Sequence, residues 1–268
     1  MINIGTSGFS FPDWIGTIYP KSIKKENMLS YYEKELGFKT LEINFTYYTL
    51  PSQKALQGMN NKTGADFKFV IKAFKGLTHD IWNERKEIID NKKIFDKFIY
   101  SIDPLVKDSK LSCIIAQFPY SFHHTEGNLE YLKFFKDRFG EIPVIIEFRN
   151  SDWVTDNTFT FLKNMRMGYC IVDEPGLKNL MPYYPAVTSD IAYFRFHGRN
   201  KNWFSVPASE RYNYLYSEQE LNEFLPGIIK ISGKSKTTFV FFNNCHAGSA
   251  AKNAITLAKM IGQKNSKI

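Results

Sequence analysis

Residues 144–149 read VIIEFR, and the way this stretch divides its side chains decides the fold. It is an apolar run that ends in two charges. Side chains alternate across a strand, so Glu147 and Arg149 share one face while Ile146 and Phe148 take the other. The same division recurs in both directions along the chain. LEIN at 41–44 sets Glu42 with Asn44 against Leu41 and Ile43, and YFRFHGR at 193–199 sets Arg195 with His197 against Phe194 and Phe196. FKFVIKA ends near Lys72, IIAQF carries Gln117, YCIVD ends in Asp173, and VFFNN ends in Asn243 and Asn244.

Short, nearly continuous runs of Ile, Val and Phe are the mark of parallel strands buried on both faces. Eight such runs are expected, at 2–6, 38–44, 67–72, 111–117, 142–148, 168–173, 191–197 and 237–243. Helical patterns lie between most of them. Residues 84–106 place Ile88, Phe95, Phe98, Ile99, Ile102 and Val106 on one stripe, and residues 247–261 repeat alanine, Leu257 and Ile261 at three-four spacing. Ser217 and Glu220 have capping-box spacing, and Pro226–Gly227 is expected to break or kink the helix that follows. Alternating strands and helices with eight strands predict an α/β fold: one TIM-like barrel, about eight parallel strands with helices outside. No linker or composition shift divides the chain, so residues 1–268 are expected to form a single domain.

Composition narrows the function classes. Hydrophobic content of 43% suits a globular core, and the 16% aromatic content is divided between core filling and ligand stacking. The net charge of +8 favours anionic partners, but the lysines are dispersed, Lys259, Lys264 and Lys267 among them, and no nucleic-acid motif appears. Nucleic acid is a permitted partner and not the favoured one. No run approaches the roughly 18 apolar residues of a membrane span. MINIGTSG is already a strand and turn rather than a signal peptide, and three cysteines without CxxC spacing suggest reduced thiols; the expected location is cytoplasmic. The long connections 174–190 and 198–217 both follow strands, as functional loops do. The second carries Trp203, Phe204, Tyr212, Tyr214 and Tyr216, rings that can cover a flat substrate or pin the loop.

An ordered set of motifs runs along the chain: GTSGFSFPDW at 5–14, IYP at 18–20, LEINFTYYTLPS at 41–52, and FVIKA at 69–73 with Thr78–His79. It continues with IIEFRNSDW at 145–153, Asp173 with Pro175, FRFHGR with Trp203, and FFNN followed by Gly248 and Asn253–Ala254. In this order they resemble the YecE-like family, domain of unknown function 72, over essentially the whole length. Phe9 and Phe11 stand where the family motif often has Trp and Tyr, and Asn150 where a His often follows EFR. The resemblance implies a TIM-like barrel of undetermined biochemical activity.

The polar strand ends then carry the chemistry, because barrel active sites occupy the C-terminal mouth. A small anionic ligand is expected there, held by Lys72, Arg149 and Arg195, since arginine offers a planar fork and lysine a compact charge. His197 is the candidate proton carrier, with Glu42 or Glu147 as base or as the group that fixes the imidazole. Asn44, Asp173, Asn243, Asn244 and Trp203 complete the expected substrate-binding set. Lys72 as a Schiff-base lysine is the other use of that amine, although sequence carries no sign of a lowered pKa. Three readings compete: an ion-pair network that fills the core, a divalent-metal hydrolase or isomerase using Glu42, Glu147, Asp173 and His197, and a non-catalytic barrel that binds nucleic acid or protein. No HxH, HExxH or CxxC cluster indicates a metal, and no cofactor motif appears. GTSG at 5–8 is either an oxyanion cradle or a tight turn. Substrate, reaction type and oligomeric state are not encoded in any motif.

Overall fold

A computed structural model describes residues 1–203 and 205–265. Phe204 and Lys267, and the side chain of Lys264, lie outside the described residues. The eight strands form where the apolar runs predict them: β1 Ile2–Thr6, β2 Thr40–Ile43, β3 Lys68–Lys72, β4 Leu111–Gln117, β5 Val144–Glu147, β6 Gly168–Asp173, β7 Ile191–Phe196 and β8 Thr237–Phe242. They pair in the order β1-β8-β7-β6-β5-β4-β3-β2, every pair parallel. The remaining seam lies between β1 and β2. There Ser7 bridges Glu42, and the Gly8 N–H donates to the Glu42 carbonyl at 2.9 Å. Gly5 permits that approach, because a Cβ on it would sit 2.5 Å from the Thr40 carbonyl oxygen. The result is a nearly closed TIM-like barrel, so the predicted fold class holds.

Among the described residues eight α-helices accompany it: α1 Met28–Lys34, α2 Gln53–Asn61, α3 Lys92–Lys107, α4 Glu126–Phe139, α5 Asp156–Asn164, α6 Ala208–Arg211, α7 Glu218–Ser232 and α8 Ser249–Asn265. Much of the aromatic excess is core. Phe95 of α3 meets Phe135 and Phe139 of α4, and Phe118, Phe122, Trp153 and Phe148 stack in series at centroid spacings of 4.2, 5.5 and 4.2 Å. Two expectations about helices need correction. The stripe at 84–106 is helical only from Lys92. Before it, the Asn83 side chain accepts the N–H groups of Arg85 and Glu87, Lys86 takes φ 61°, and Ile88 bridges Trp82 antiparallel. Local side-chain-to-backbone bonds thus outcompete the helix there. Pro226 does not end α7, which runs to Ser232. Buried Leu221, Phe224, Leu225, Ile228 and Ile231 hold that helix on the barrel, and the expected capping box of Ser217 and Glu220 starts it.

Candidate active site at the barrel mouth

Period-two alternation sends one residue of every second position into the barrel, and three strands supply the charged centre. Arg195 of β7 reaches Glu42 of β2 through Nη2 at 2.7 Å and Glu147 of β5 through Nη1 at 2.5 Å. Tyr193, two residues earlier on the same face, donates its hydroxyl to the other Glu42 oxygen at 2.6 Å. Arg195 is 1% exposed, and both carboxyl groups are fully buried. Burial pushes the Glu147 carboxyl up, but Arg195, Arg149 and His197 more than reverse this and hold it well below the ordinary carboxylate range. Charges removed from water require pairing of this kind, although the buried Arg195 Nε has no hydrogen-bond partner among the described residues.

Arg149 sits above that layer. Its Nη2 lies 2.8 Å from Glu147 Oε1, and its Nη1 lies 2.5 Å from Glu174 Oε2, while Glu174 Oε1 accepts the Met181 N–H at 2.9 Å. The Arg149 side chain keeps 10% exposure. His197, fully buried, places Nδ1 2.9 Å from the Asn243 amide nitrogen and Nε2 3.2 Å from Glu147 Oε1, the latter without a hydrogen bond's direction. Burial, then the Arg149 charge, lower the His197 pKa to about 3. The imidazole is therefore neutral at neutral pH.

Lys72, the last residue of β3, behaves differently. Its Nζ donates to Gln117 Oε1 at 2.9 Å and lies 4.5 Å from the centroid of the Tyr47 ring, and among the described residues no carboxylate comes within salt-bridge distance. Burial, then Arg195, lower its pKa to about 7. Gln117 approaches His79 Nε2 at 3.4 Å, and the His79 pKa falls to about 4 through burial and then Lys72.

The structure thus brings together Glu42, Lys72, Glu147, Arg149, Arg195 and His197, with Asn243 beside the imidazole. Asn44 lines the neighbouring cleft. That cleft, about 570 Å³, opens on the β1, β2 and β8 side and is lined by Phe9, Phe45 and Tyr212 above Glu42, Asn44 and Asn243. Lys72 and Arg149 do not line it. They are partly exposed on the β3 to β5 side. Trp203 packs edge-on against Tyr212 at 5.1 Å, and the Tyr212 ring lies 6.1 Å from that of His197. Trp203 backs the cover rather than touching the charged centre.

Two expected site residues lie elsewhere. Asp173 faces the helical layer, where Arg199 grips it through Nε and Nη2 at 3.0–3.1 Å and the Tyr216 hydroxyl donates at 2.6 Å. Asn244, fully buried, donates to the Tyr214 carbonyl and to Asn253 of α8. Both fasten the 198–217 loop. Its distal tyrosines therefore pin it, while Tyr212 lines the cleft beside His197 with Trp203 packed behind it. Tyr216→Phe is expected to cost about 1–3 kcal/mol, because Asp173 loses a donor and the buried Gly198 N–H, which bonds the hydroxyl at 2.8 Å, loses its acceptor. Urea denaturation measures this, and an unchanged midpoint would show that the loop is not fastened there.

The four residues of the divalent-metal alternative do not assemble, since Asp173 is turned away. Among the described residues no group of three or more His, Cys, Asp and Glu side chains is placed to hold a metal ion. GTSG is no oxyanion cradle: the Ser7 and Gly8 N–H groups are spent on the Phe242 and Glu42 carbonyls. Asn150 caps the turn at Ser151–Trp153, accepting the Asp152 N–H, so the site uses no imidazole at that position. Among the described residues no helix is long and apolar enough to cross a membrane. Glu174, Tyr193, Tyr47 and His79 were not in the expected site set. Alternation accounts for Glu174 once the structure fixes the phase: the Cys170 thiol faces Glu147, so residues 172 and 174 turn inward and Asp173 outward.

Comparison with known proteins agrees with this barrel. A solved DUF72 family protein from Thermotoga maritima MSB8 superposes with TM-score 0.91 at 43% identity, covering 98% of this chain and 99% of that one. Another, from Enterococcus faecalis V583, gives TM-score 0.85 at 30% identity over 98% and 96% of the two chains. The UPF0759 protein YunF of Bacillus subtilis (strain 168) is 30% identical over 275 residues, 97% of this chain and 95% of YunF. The family model described as "Protein of unknown function DUF72" matches residues 3–268, and the chain belongs to that family.

Proposed function

We propose that the barrel mouth is an enzyme active site that takes a small carboxylate- or phosphate-bearing metabolite and works by acid–base chemistry. The observation that carries this reading is Lys72: Glu42, Glu147 and Glu174 each bond a guanidinium, whereas Lys72 Nζ bonds the neutral Gln117 and, among the described residues, has no carboxylate within salt-bridge distance. An anion would join Lys72 with the exposed edge of Arg149. His197 contributes an uncharged imidazole fixed by Asn243, and Glu42 and Glu147 hold the cations in place. Lys72 is the group whose ionisation, near pH 7, suits proton transfer at neutral pH.

The groups facing Lys72 are Arg195, Arg149, Glu147, Glu42 and His79, with Gln117 and Tyr47 in contact. An anion bound there favours the ammonium, so binding should take up a proton above pH 7. Calorimetric titration with inorganic phosphate and with succinate should therefore give affinity that falls by roughly tenfold between about pH 7.5 and 8.5. Lys72→Met should weaken binding and flatten this dependence. Affinity equal at both pH values and unaffected by the substitution would sink the assignment.

A further inference from the structure

We propose that Lys72 is a covalent amine catalyst, condensing through Nζ with the carbonyl carbon of a small 2-oxo acid to form an iminium. This rests on the anion reading above and narrows its substrate class to carbonyl compounds that carry a carboxylate.

Three features of the geometry point this way. Lys72 lies outside the ion-pair lattice: Arg195 and Arg149 bond Glu42, Glu147 and Glu174, and among the described residues no carboxylate comes within salt-bridge distance of Lys72 Nζ. Its nitrogen has a single protein hydrogen-bond acceptor among the described residues, the neutral Gln117 Oε1, over the face of Tyr47. An ammonium presents three N–H donors, whereas an iminium presents one, so the cradle matches the condensed form better than the free cation. Lastly, Lys72 ends an inward-facing strand at the mouth and is partly exposed, so a small carbonyl compound can reach it. A pKa near 7 supports the assignment, since a neutral lone pair is then available near physiological pH, as desolvation and adjacent cations produce in amine nucleophiles.

The chemistry balances without an added oxidant or reductant. The Nζ lone pair adds to the carbonyl carbon, and the C=O π pair moves to oxygen, which takes the proton that nitrogen sheds. A second proton from solvent lets that oxygen leave as water while the nitrogen pair forms the C=N bond. The iminium carries one positive charge and can accept the electron pair released when a bond to the adjacent carbon breaks. Hydrolysis returns the amine. Arg149, whose guanidinium is held against Glu147 and Glu174, offers its exposed edge to the substrate carboxylate.

The test uses the full-length protein with glyoxylate as the 2-oxo acid and formaldehyde as a carbonyl probe without carboxylate, each with sodium cyanoborohydride. Hydride capture converts the iminium to a stable carboxymethyl or methyl amine, and peptide mapping locates it. Lys72 is expected to be carboxymethylated at least tenfold faster than exposed lysines such as Lys39, with a rate that rises through pH 7 and levels off. Its preference for glyoxylate over formaldehyde should exceed that of Lys39, and phosphate should slow the glyoxylate reaction. Arg149→Met should lower the glyoxylate-to-formaldehyde ratio at Lys72 toward that of Lys39. Carboxymethylation of Lys72 no faster than that of Lys39 in the wild-type protein overturns the proposal. If phosphate still binds with the expected pH dependence in that case, the anion reading stands and only the covalent step falls; if neither is seen, both fall.

Discussion

Arg195→Met is expected to destabilise the protein by about 3–5 kcal/mol, the largest effect of any single side chain at the barrel centre. The guanidinium is the shared partner of Glu42 and Glu147, on two strands on either side of it in the barrel, and all three groups are shut off from solvent. Methionine fills a similar volume, so the cost is not a cavity but two carboxyl groups left in a dry interior. Arg149 remains on Glu147, and Tyr193 remains on Glu42, so each carboxyl keeps one contact and the fold need not be lost outright. Arg195→Lys should rescue little, because one ammonium cannot reproduce a fork that spans two carboxylates. Adding Glu42→Gln to Arg195→Met should recover part of the loss, since the amide carbonyl still accepts from Tyr193 and no charge is stranded at that position. Urea denaturation monitored by tryptophan fluorescence gives these differences. A loss below about 1 kcal/mol for Arg195→Met would mean that the carboxyl groups are satisfied by something other than this guanidinium.

Much of this centre was legible in the sequence, for a simple reason. A parallel strand buried on both faces is so uniformly apolar that any polar residue at its end stands out, and period two fixes the face it occupies. Glu42, Glu147, Arg149, Arg195 and His197 were all found in that way. Where alternation was not followed, the reading slipped. Asp173 and Asn244 are polar and at strand ends, yet each is one residue out of phase with its inward neighbour, Val172 or Asn243, and each fastens a loop instead. The stripe that brought Ile88 into a helix was a coincidence of spacing that Asn83 overrides with two local hydrogen bonds. The ionisation of Lys72 was not legible. It arises from burial and from Arg195 and Arg149, distant in sequence, which together outweigh the opposing pull of Glu147 and Glu42. Likewise, the sequence suggested His197 as a neutral-pH proton carrier because its reference pKa lies there, whereas its surroundings remove it from that range.

Those surroundings set a second large effect, an acid sensitivity that belongs to His197. In the unfolded chain the imidazole takes up a proton near its ordinary pKa, but in the folded barrel burial and Arg149 keep it neutral down to about pH 3. Between these limits the unfolded state binds more protons, so stability falls as pH falls, by about 1.4 kcal/mol per pH unit, or on the order of 3 kcal/mol from pH 6.5 to 4. His79, lowered to about 4, acts in the same direction. Asp173 and Glu174, whose pKa values burial raises, act in the opposite one, so the wild-type curve alone does not isolate the imidazole. Lys72 contributes its own loss at higher pH, between its ordinary value and about 7, and is level below that. The difference between the wild type and His197→Gln cancels the contributions of groups remote from the imidazole, because glutamine presents a neutral amide to Asn243 and does not titrate; Glu147, in contact with the ring and held below the ordinary carboxylate range, acts in the same direction as the imidazole. The substitution is expected to cost stability at pH 7.5 through imperfect packing, and the gap should then close or reverse as the pH is lowered to 4. Urea denaturation across that range decides the matter: parallel curves for the two proteins would show that His197 is protonated in the folded state as readily as in water, and that the sealed, neutral imidazole described here does not exist.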